Sequence, residues 1–186
     1  MEPKVIIQNV VASAKINQFL NLKDIVKAFE PSMVDYRPEV FPGLVFRIKE
    51  PESSTLIFKS GKFVCTGTKS EREAKQAVMK VVRNLRETNI ITTKEEPEIT
   101  IQNIVASIEL GKLVIDLEKA VYVLHRAIYD PEQFPGVVYY MEEPKVVFLI
   151  FRTGKLVCPG AKREEDIYKA LANLINILKE EDLIIE

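Results

Sequence analysis

The sequence predicts an α+β protein built from two copies of one unit, each running strand, helix, four strands, helix. Three observations predict it: an internal repeat, apolar residues at helical spacing late in each copy, and period-two alternation before them. Ile7 to Ser13, IQNVVAS, returns 94 residues later as IQNIVAS from Ile101 to Ser107, with six of seven positions identical. Leu56 to Lys69, LIFKSGKFVCTGTK, returns 93 residues later as LIFRTGKLVCPGAK from Leu149 to Lys162. Nine of those fourteen positions are identical, where unrelated segments share about one at ordinary residue frequencies.

Glycine and proline repeat as well, and these residues report backbone geometry rather than composition. Gly43, Gly61 and Gly67 match Gly136, Gly154 and Gly160, leaving only Gly111 unpaired. Pro3, Pro38, Pro42 and Pro51 match Pro97, Pro131, Pro135 and Pro144. The copies are therefore read as residues 1–93 and 94–186, meeting near Thr92 to Glu96. That polar stretch is too brief for a flexible linker, so the copies are expected to be fused into one unit.

Within the first copy, alternation and turn residues predict strands at Val5 to Ala14, Met33 to Tyr36, Leu44 to Ile48, Ser54 to Phe58 and Lys62 to Thr66, with Gly61 closing a tight hairpin. A short helix is predicted over Leu22 to Phe29, and over Leu117 to Ala127 in the second copy. The long helix follows from Ala74, Ala77, Val78, Val81, Val82 and Leu85, a spacing repeated by Ile167, Ala170, Leu171, Leu174, Ile175 and Leu178. Ser70 and Glu73 form a capping box before the first long helix, and its counterpart lacks one.

The composition is that of a cytosolic globular protein: 186 residues, 47% hydrophobic and 28% charged, with 26 basic and 27 acidic side chains. No apolar run reaches the roughly 18 to 20 residues of a membrane helix, and the first nine residues are not built as a signal peptide. Two cysteines, Cys65 and Cys158, and the single His125 cannot assemble a disulfide framework or a zinc site. No cofactor is expected. Both cysteines read as buried small hydrophobes, and His125, alone on its helix, as a surface residue.

Strand parity separates two faces. Val10, Ala12, Leu44, Phe46, Ile48, Thr55, Ile57, Phe63 and Cys65 fall on one, which must lie under the helices. On the other fall Asn9, Val11, Ser13, Val45, Arg47, Leu56, Phe58, Val64 and Thr66, and from the second copy Asn103, Val105, Val138, Tyr140, Leu149, Phe151, Val157 and Pro159. This second face reads as free of Asp and Glu, and two helices per copy cannot cover it. An apolar surface of that size on a monomer marks a partner site. A homodimer, or burial under the other copy, would also cover it. Asn9 and Asn103 would be costly in such a dry interface, however, and Lys62, Lys69, Lys155 and Lys162 edge the region. Lysine for phosphates, asparagine for base edges and phenylalanine for wedging between base pairs together suit a nucleic-acid groove.

At these residues the chain resembles the TATA-binding protein family in its short archaeal form. QN(V/I)VAS, FPG, LIF(K/R)(S/T)GK and V-C-x-G-x-K each occur twice, in the family's order and spacing, and the resemblance covers residues 4 to 183. It implies a pseudo-two-fold saddle: a ten-stranded antiparallel sheet with its concave face on DNA and four helices on the convex face. The implied function is that of a general transcription initiation factor which binds the minor groove of A·T-rich DNA and bends it. An archaeal, nucleoid-associated location goes with it.

The resemblance also assigns residues. Asn9 and Asn103 match the central asparagines that donate to thymine O2 and adenine N3. Val11, Val64, Val105 and Val157 match the apolar residues beside them, whose bulk disfavours the guanine amino group. Phe41 with Phe58, and Phe134 with Phe151, match the two pairs that open a base step at each end of the box, with Leu56 and Leu149 beside them. Arg47, Ser60, Lys62, Thr66, Lys69, Thr153, Lys155 and Lys162 match DNA-contacting positions. Asp130 and Glu132 match a loop that contacts transcription factor B, which with RNA polymerase completes the expected set of partners; a weak self-dimer of the free protein is a further expectation. Departures are Pro159 in place of threonine, Tyr140 in place of the arginine matched by Arg47, and the two cysteines in place of aliphatics.

Charge is unevenly shared: residues 1–93 carry 15 basic and 10 acidic side chains, residues 94–186 carry 11 and 17. Phosphate binding must then rest on local lysines, with the helix N-termini after Lys69 and Lys162 expected to assist. A basic partner suits the acidic second copy. The tail Glu180 to Glu186 reads as solubilising charge. An accessory platform for a DNA-processing enzyme is a second reading, but no metal-ligand cluster, nucleophile-base pair or Gly-rich phosphate loop is visible. A sheet-surface RNA binder would need aromatic motifs that the chain lacks.

Overall fold

The structure, a computed structural model, describes residues 1–185. In chain order its elements are β1 (Lys4–Lys15), α1 (Leu22–Ala28), β2 (Val34–Tyr36), β3 (Leu44–Lys49), β4 (Glu52–Ile57), β5 (Lys62–Thr68) and α2 (Glu71–Glu87). The repeat follows as β6 (Glu98–Glu109), β7 (Val114–Ile115), α3 (Leu117–Val123), β8 (Ala127–Ile128), β9 (Val137–Met141), β10 (Val146–Ile150), β11 (Lys155–Ala161), α4 (Glu164–Glu180) and β12 (Ile184–Ile185). The fold is the expected one, a ten-stranded antiparallel sheet with four helices, to which a small pair, β7 with β12, is added. By contacts the chain divides into Asn9–Gln102 and a second unit comprising Met1–Gln8 with the chain from Asn103 onward.

In Asn9–Gln102 the strand order is β2-β3-β4-β5-β1. Gly61, at φ +90°, makes the β4–β5 turn, where the Phe58 N–H donates to the Lys62 carbonyl at 3.0 Å. α2 lies against β5, β4 and β3. Its start is fixed by Ser70, whose Oγ accepts from the Glu73 N–H at 3.0 Å, while Glu73 Oε2 accepts from the Lys69 N–H at 2.9 Å. The six apolar residues that predicted α2 are all buried. The nine strand residues assigned by parity to the helix side are likewise all buried. Removing a Phe46 or Phe63 side chain from water contributes about 1.5 to 3 kcal/mol. After α2 the chain is tied down by Gln18, whose Oε1 accepts from the Thr92 and Thr93 N–H groups and whose Nε2 donates to the Ile90 carbonyl.

The second unit repeats the pattern as β6-β11-β10-β9-β8. α4 begins at Arg163 without a side-chain cap, as expected. Of its predicted apolar face, five residues are buried and Ile175 is half-buried. Two expectations are corrected here. The short helix ends at Val123, not Ala127: Leu124 is already extended, Arg126 takes φ +62°, and Ala127 and Ile128 pair with Tyr139 and Val138 as β8. The tail is structural rather than merely solubilising. Leu183 is fully buried, its carbonyl accepts from the Asp116 N–H at 2.8 Å, and Ile184 and Ile185 pair with Ile115 and Val114. Glu186 lies outside the described residues.

Candidate nucleic-acid interface

The face that α2 leaves open carries a row of residues set directly opposite one another: Val45, Leu56, Val64 and Ser13 on β3, β4, β5 and β1. The second unit holds the same row as Val138, Leu149, Val157 and Ser107. These side chains are half-buried, as are Asn9, Val11, Thr66, Asn103, Val105 and Pro159. Directly opposed residues share a face, so each unit has a continuous apolar strip on its uncovered side.

An aromatic pair stands near one end of each strip. Phe41 and Phe58 have ring centroids 5.9 Å apart at 71°, and Phe134 and Phe151 have theirs 5.6 Å apart at 60°. Phe41 remains 42% exposed, more than a core ring would be. The loop holding Phe41 is a turn in which the Arg37 carbonyl accepts from the Val40 and Phe41 N–H groups; the Asp130 carbonyl does the same for Gln133 and Phe134. That turn leaves Asp130 and Glu132 exposed beside the second pair.

Near the other end of the strip a bulge sets two residues against one. Thr66 and Gly67 oppose Val11, and Pro159 and Gly160 oppose Val105. Asn9 lies next to the first bulge, with its Oδ1 accepting from the Gly67 N–H at 2.7 Å. Arg47, Ser60, Lys62, Lys69, Thr153, Lys155 and Lys162 are all exposed.

The sequence reading missed several functional features. Gly43 and Gly136, each the last residue of an FPG motif, lie so close to the aromatic pairs that a Cβ at either would approach a ring carbon to within 3.0 Å. Lys15 stands opposite Lys62, whereas its repeat partner Glu109 stands opposite Lys155. The repeat offset of 94 already aligns those two positions as a charge reversal. The open face is also not free of acid: Asp35 stands opposite Val45 and Glu109 opposite Lys155, the first on β2, which the parity count omitted, and the second at the end of β6, beyond the residues it counted. Nor are the helix N-termini anion sites, because Glu71 and Glu73 occupy the first turn of α2, and Glu164, Glu165 and Asp166 that of α4. Carboxylates there already use the favourable end of the dipole and repel phosphate.

Both cysteines are buried on the helix side. Burial pushes the Cys158 thiol up to about 11, and raises Cys65 too, against the hydroxyls of Thr55 and Ser53. Neither is a nucleophile in that state. His125 is exposed, and among the described residues no group of His, Cys, Asp and Glu could hold a metal. No helix among them is long and apolar enough to cross a membrane.

The sequence model of the family described as "Transcription factor TFIID (or TATA-binding protein, TBP)" matches residues 4–88 and again 98–181. The chain belongs to the TATA-binding protein family. It is 47% identical over 178 residues to the TATA-box-binding protein of Pyrodictium occultum, covering 96% of this chain and 87% of that one. It is 44% identical over 180 residues to the TATA-box-binding protein of Methanocaldococcus jannaschii, covering 97% and 96%. Among solved structures, that titled "Methanococcus jannaschii TBP" superposes with a TM-score of 0.81 at 43% identity, covering 95% of this chain and 99% of the other. The family's fold expected from the resemblance, a ten-stranded antiparallel sheet with four helices, is thus shown, and the TATA-binding protein family is one of transcription factors, not of enzymes.

Proposed function

We propose that this protein is a general transcription initiation factor that binds the minor groove of an A·T-rich TATA box and bends it. The observation carrying this reading is the open strip of each unit: an asparagine among valines, an exposed phenylalanine pair near one end, and lysines along its margin. Copies 1–93 and 94–186 each read half of the box. Asn9 and Asn103 donate to base acceptors, while Val11, Val64, Val105 and Val157 crowd out the guanine amino group. Phe41 with Phe58, and Phe134 with Phe151, wedge into a base step, helped by Leu56 and Leu149, in the mode of which this family is itself a standing example. Arg47, Ser60, Lys62, Thr66, Lys69, Thr153, Lys155 and Lys162 hold the sugar-phosphate backbone. Asp130 and Glu132 offer acid to a basic surface of transcription factor B, which brings RNA polymerase.

The test is binding to a duplex carrying a TATA-like box and to a G·C-rich control, with end-to-end distance read by fluorescence transfer and salt varied. Selective binding with shortened ends is expected. Equal or absent binding would overturn the reading, and sedimentation as a dimer would then assign the open strips to self-association.

A further inference from the structure

The two central asparagines are not in equivalent states. Asn9 Oδ1 is held by the Gly67 N–H, and Gly67 can aim that N–H because it sits at φ +99°, where a side chain would be strained. With its oxygen held, the amide has one orientation. Its Nδ2 keeps two donors that no group among the described residues accepts. Asn103 lies beside the equivalent bulge, but Gly160 is outside the left-handed region, and among the described residues its N–H makes no hydrogen bond to the Asn103 side chain. Among the described residues Asn103 makes no side-chain hydrogen bond. The neighbouring hydroxyl of Thr66 is also replaced, by the Pro159 ring.

Base-edge chemistry turns this difference into selectivity, on the minor-groove reading proposed above. A·T and T·A present only acceptors there, whereas G·C adds the guanine N2 amino donor. A held amide can only donate, so a guanine opposite it sets donor against donor. A free amide can turn its Oδ1 to the same amino group and accept. The valines flank both asparagines alike and do not create the difference.

We infer that Asn9, locked by Gly67, is the residue that rejects guanine, and that Asn103 tolerates it, so that one half of the box is read strictly as A·T and the other loosely. Pairs in the box centre are replaced singly by G·C or by inosine·C, which differs from G·C only in lacking the N2 amino group. The quantity read is the ratio of the two dissociation constants at each position. For the wild type it reaches roughly tenfold at the strictest position, within the usual cost of one wrong pair. Asn9→Ala should lower that ratio several-fold at the strictest position, to the level that the valines alone impose at the position read by Asn103. Asn103→Ala should weaken every duplex in parallel and keep the ratio. Asn9→Asp retains an acceptor for Gly67 but offers the guanine an acceptor too, so its ratio should fall to one or below; thermal melting establishes that each variant is folded. Equal loss of the ratio in both alanine variants, or a larger loss in Asn103→Ala, overturns the inference. A wild type that binds A·T-rich and G·C-rich duplexes alike overturns the minor-groove reading itself, and this inference with it.

Discussion

Gly43 lies under the ring of Phe41: a Cβ built on it would stand 2.8 Å from Phe41 Cε1, and 3.0 Å from Cε1 of Phe58 beyond. Both aromatic rings therefore rest where they do because position 43 has no side chain. Gly43→Ala should displace the pair, weakening DNA binding and reducing bending in the fluorescence-transfer assay. The melting temperature should hardly move, since the three nearest atoms all belong to half-exposed or exposed rings. Gly136 is more constrained, with the Ile150 carbonyl also 3.0 Å away.

Replacing Phe41 and Phe58 together with alanine removes the wedge while sparing the buried layer of Phe46, Phe63 and α2. Affinity and bend angle should both fall, with far-ultraviolet circular dichroism unchanged. An unaltered bend would withdraw the wedge role from this pair.

Glu109 opposes Lys155 on the open face where the first copy sets Lys15 against Lys62. Glu109→Lys should tighten binding at low salt. If the new lysine gains one phosphate, the slope of log affinity against log salt should steepen by roughly 0.9. A titration of affinity across salt concentrations measures this directly, and an unchanged slope would place Glu109 away from the backbone.

Glu132 is exposed in the turn that presents Phe134, and its own side chain lies outside the apolar strip. Glu132→Lys should leave DNA affinity within about twofold, the spread of an ordinary surface substitution. Recruitment of transcription factor B, read by a mobility supershift, should weaken. Parallel loss of both would indicate disturbance of the turn instead.

Cys158 is an acid whose folded value, about 11, lies above its ordinary 9.0. The thiolate is disfavoured in the folded state, so the contribution to stability is complete below pH 9 and is lost as pH rises toward 11. Cys158→Ala should flatten the fall in denaturant midpoint over that window relative to the wild type. At pH 8 neither native cysteine should react with a thiol reagent, and both should react on unfolding.

How far the sequence carried depended on the kind of signal. Parity located Val10, Phe46, Phe63 and Cys65 under the helices because a strand has only two faces. The capping box of Ser70 and Glu73 was legible because it is a local hydrogen-bond rule. The end of α3 was not, since apolar spacing continues through Leu124 to Ala127 while the left-handed Arg126 and pairing with β9 are what stop the helix. β12 was hidden for a related reason: Ile184 and Ile185 stand behind charged neighbours, and only Ile115 and Val114, far back in the chain, supply their ladder. The charge reversal between Lys15 and Glu109 was present in the aligned copies but acquired meaning only once each was paired with a lysine across the sheet.

The pairing of β12 with β7 bears on the order in which this protein comes into being on the ribosome. Asn9–Gln102 is one continuous stretch of chain and holds its own sheet and helices, so it can close as soon as that stretch has emerged. The second unit cannot. It draws on Met1–Gln8, from before the first unit, and on a strand reaching Ile185, far beyond it in the chain. That unit is therefore complete only when its two separated stretches of chain and the strand at Ile184 and Ile185 are all present.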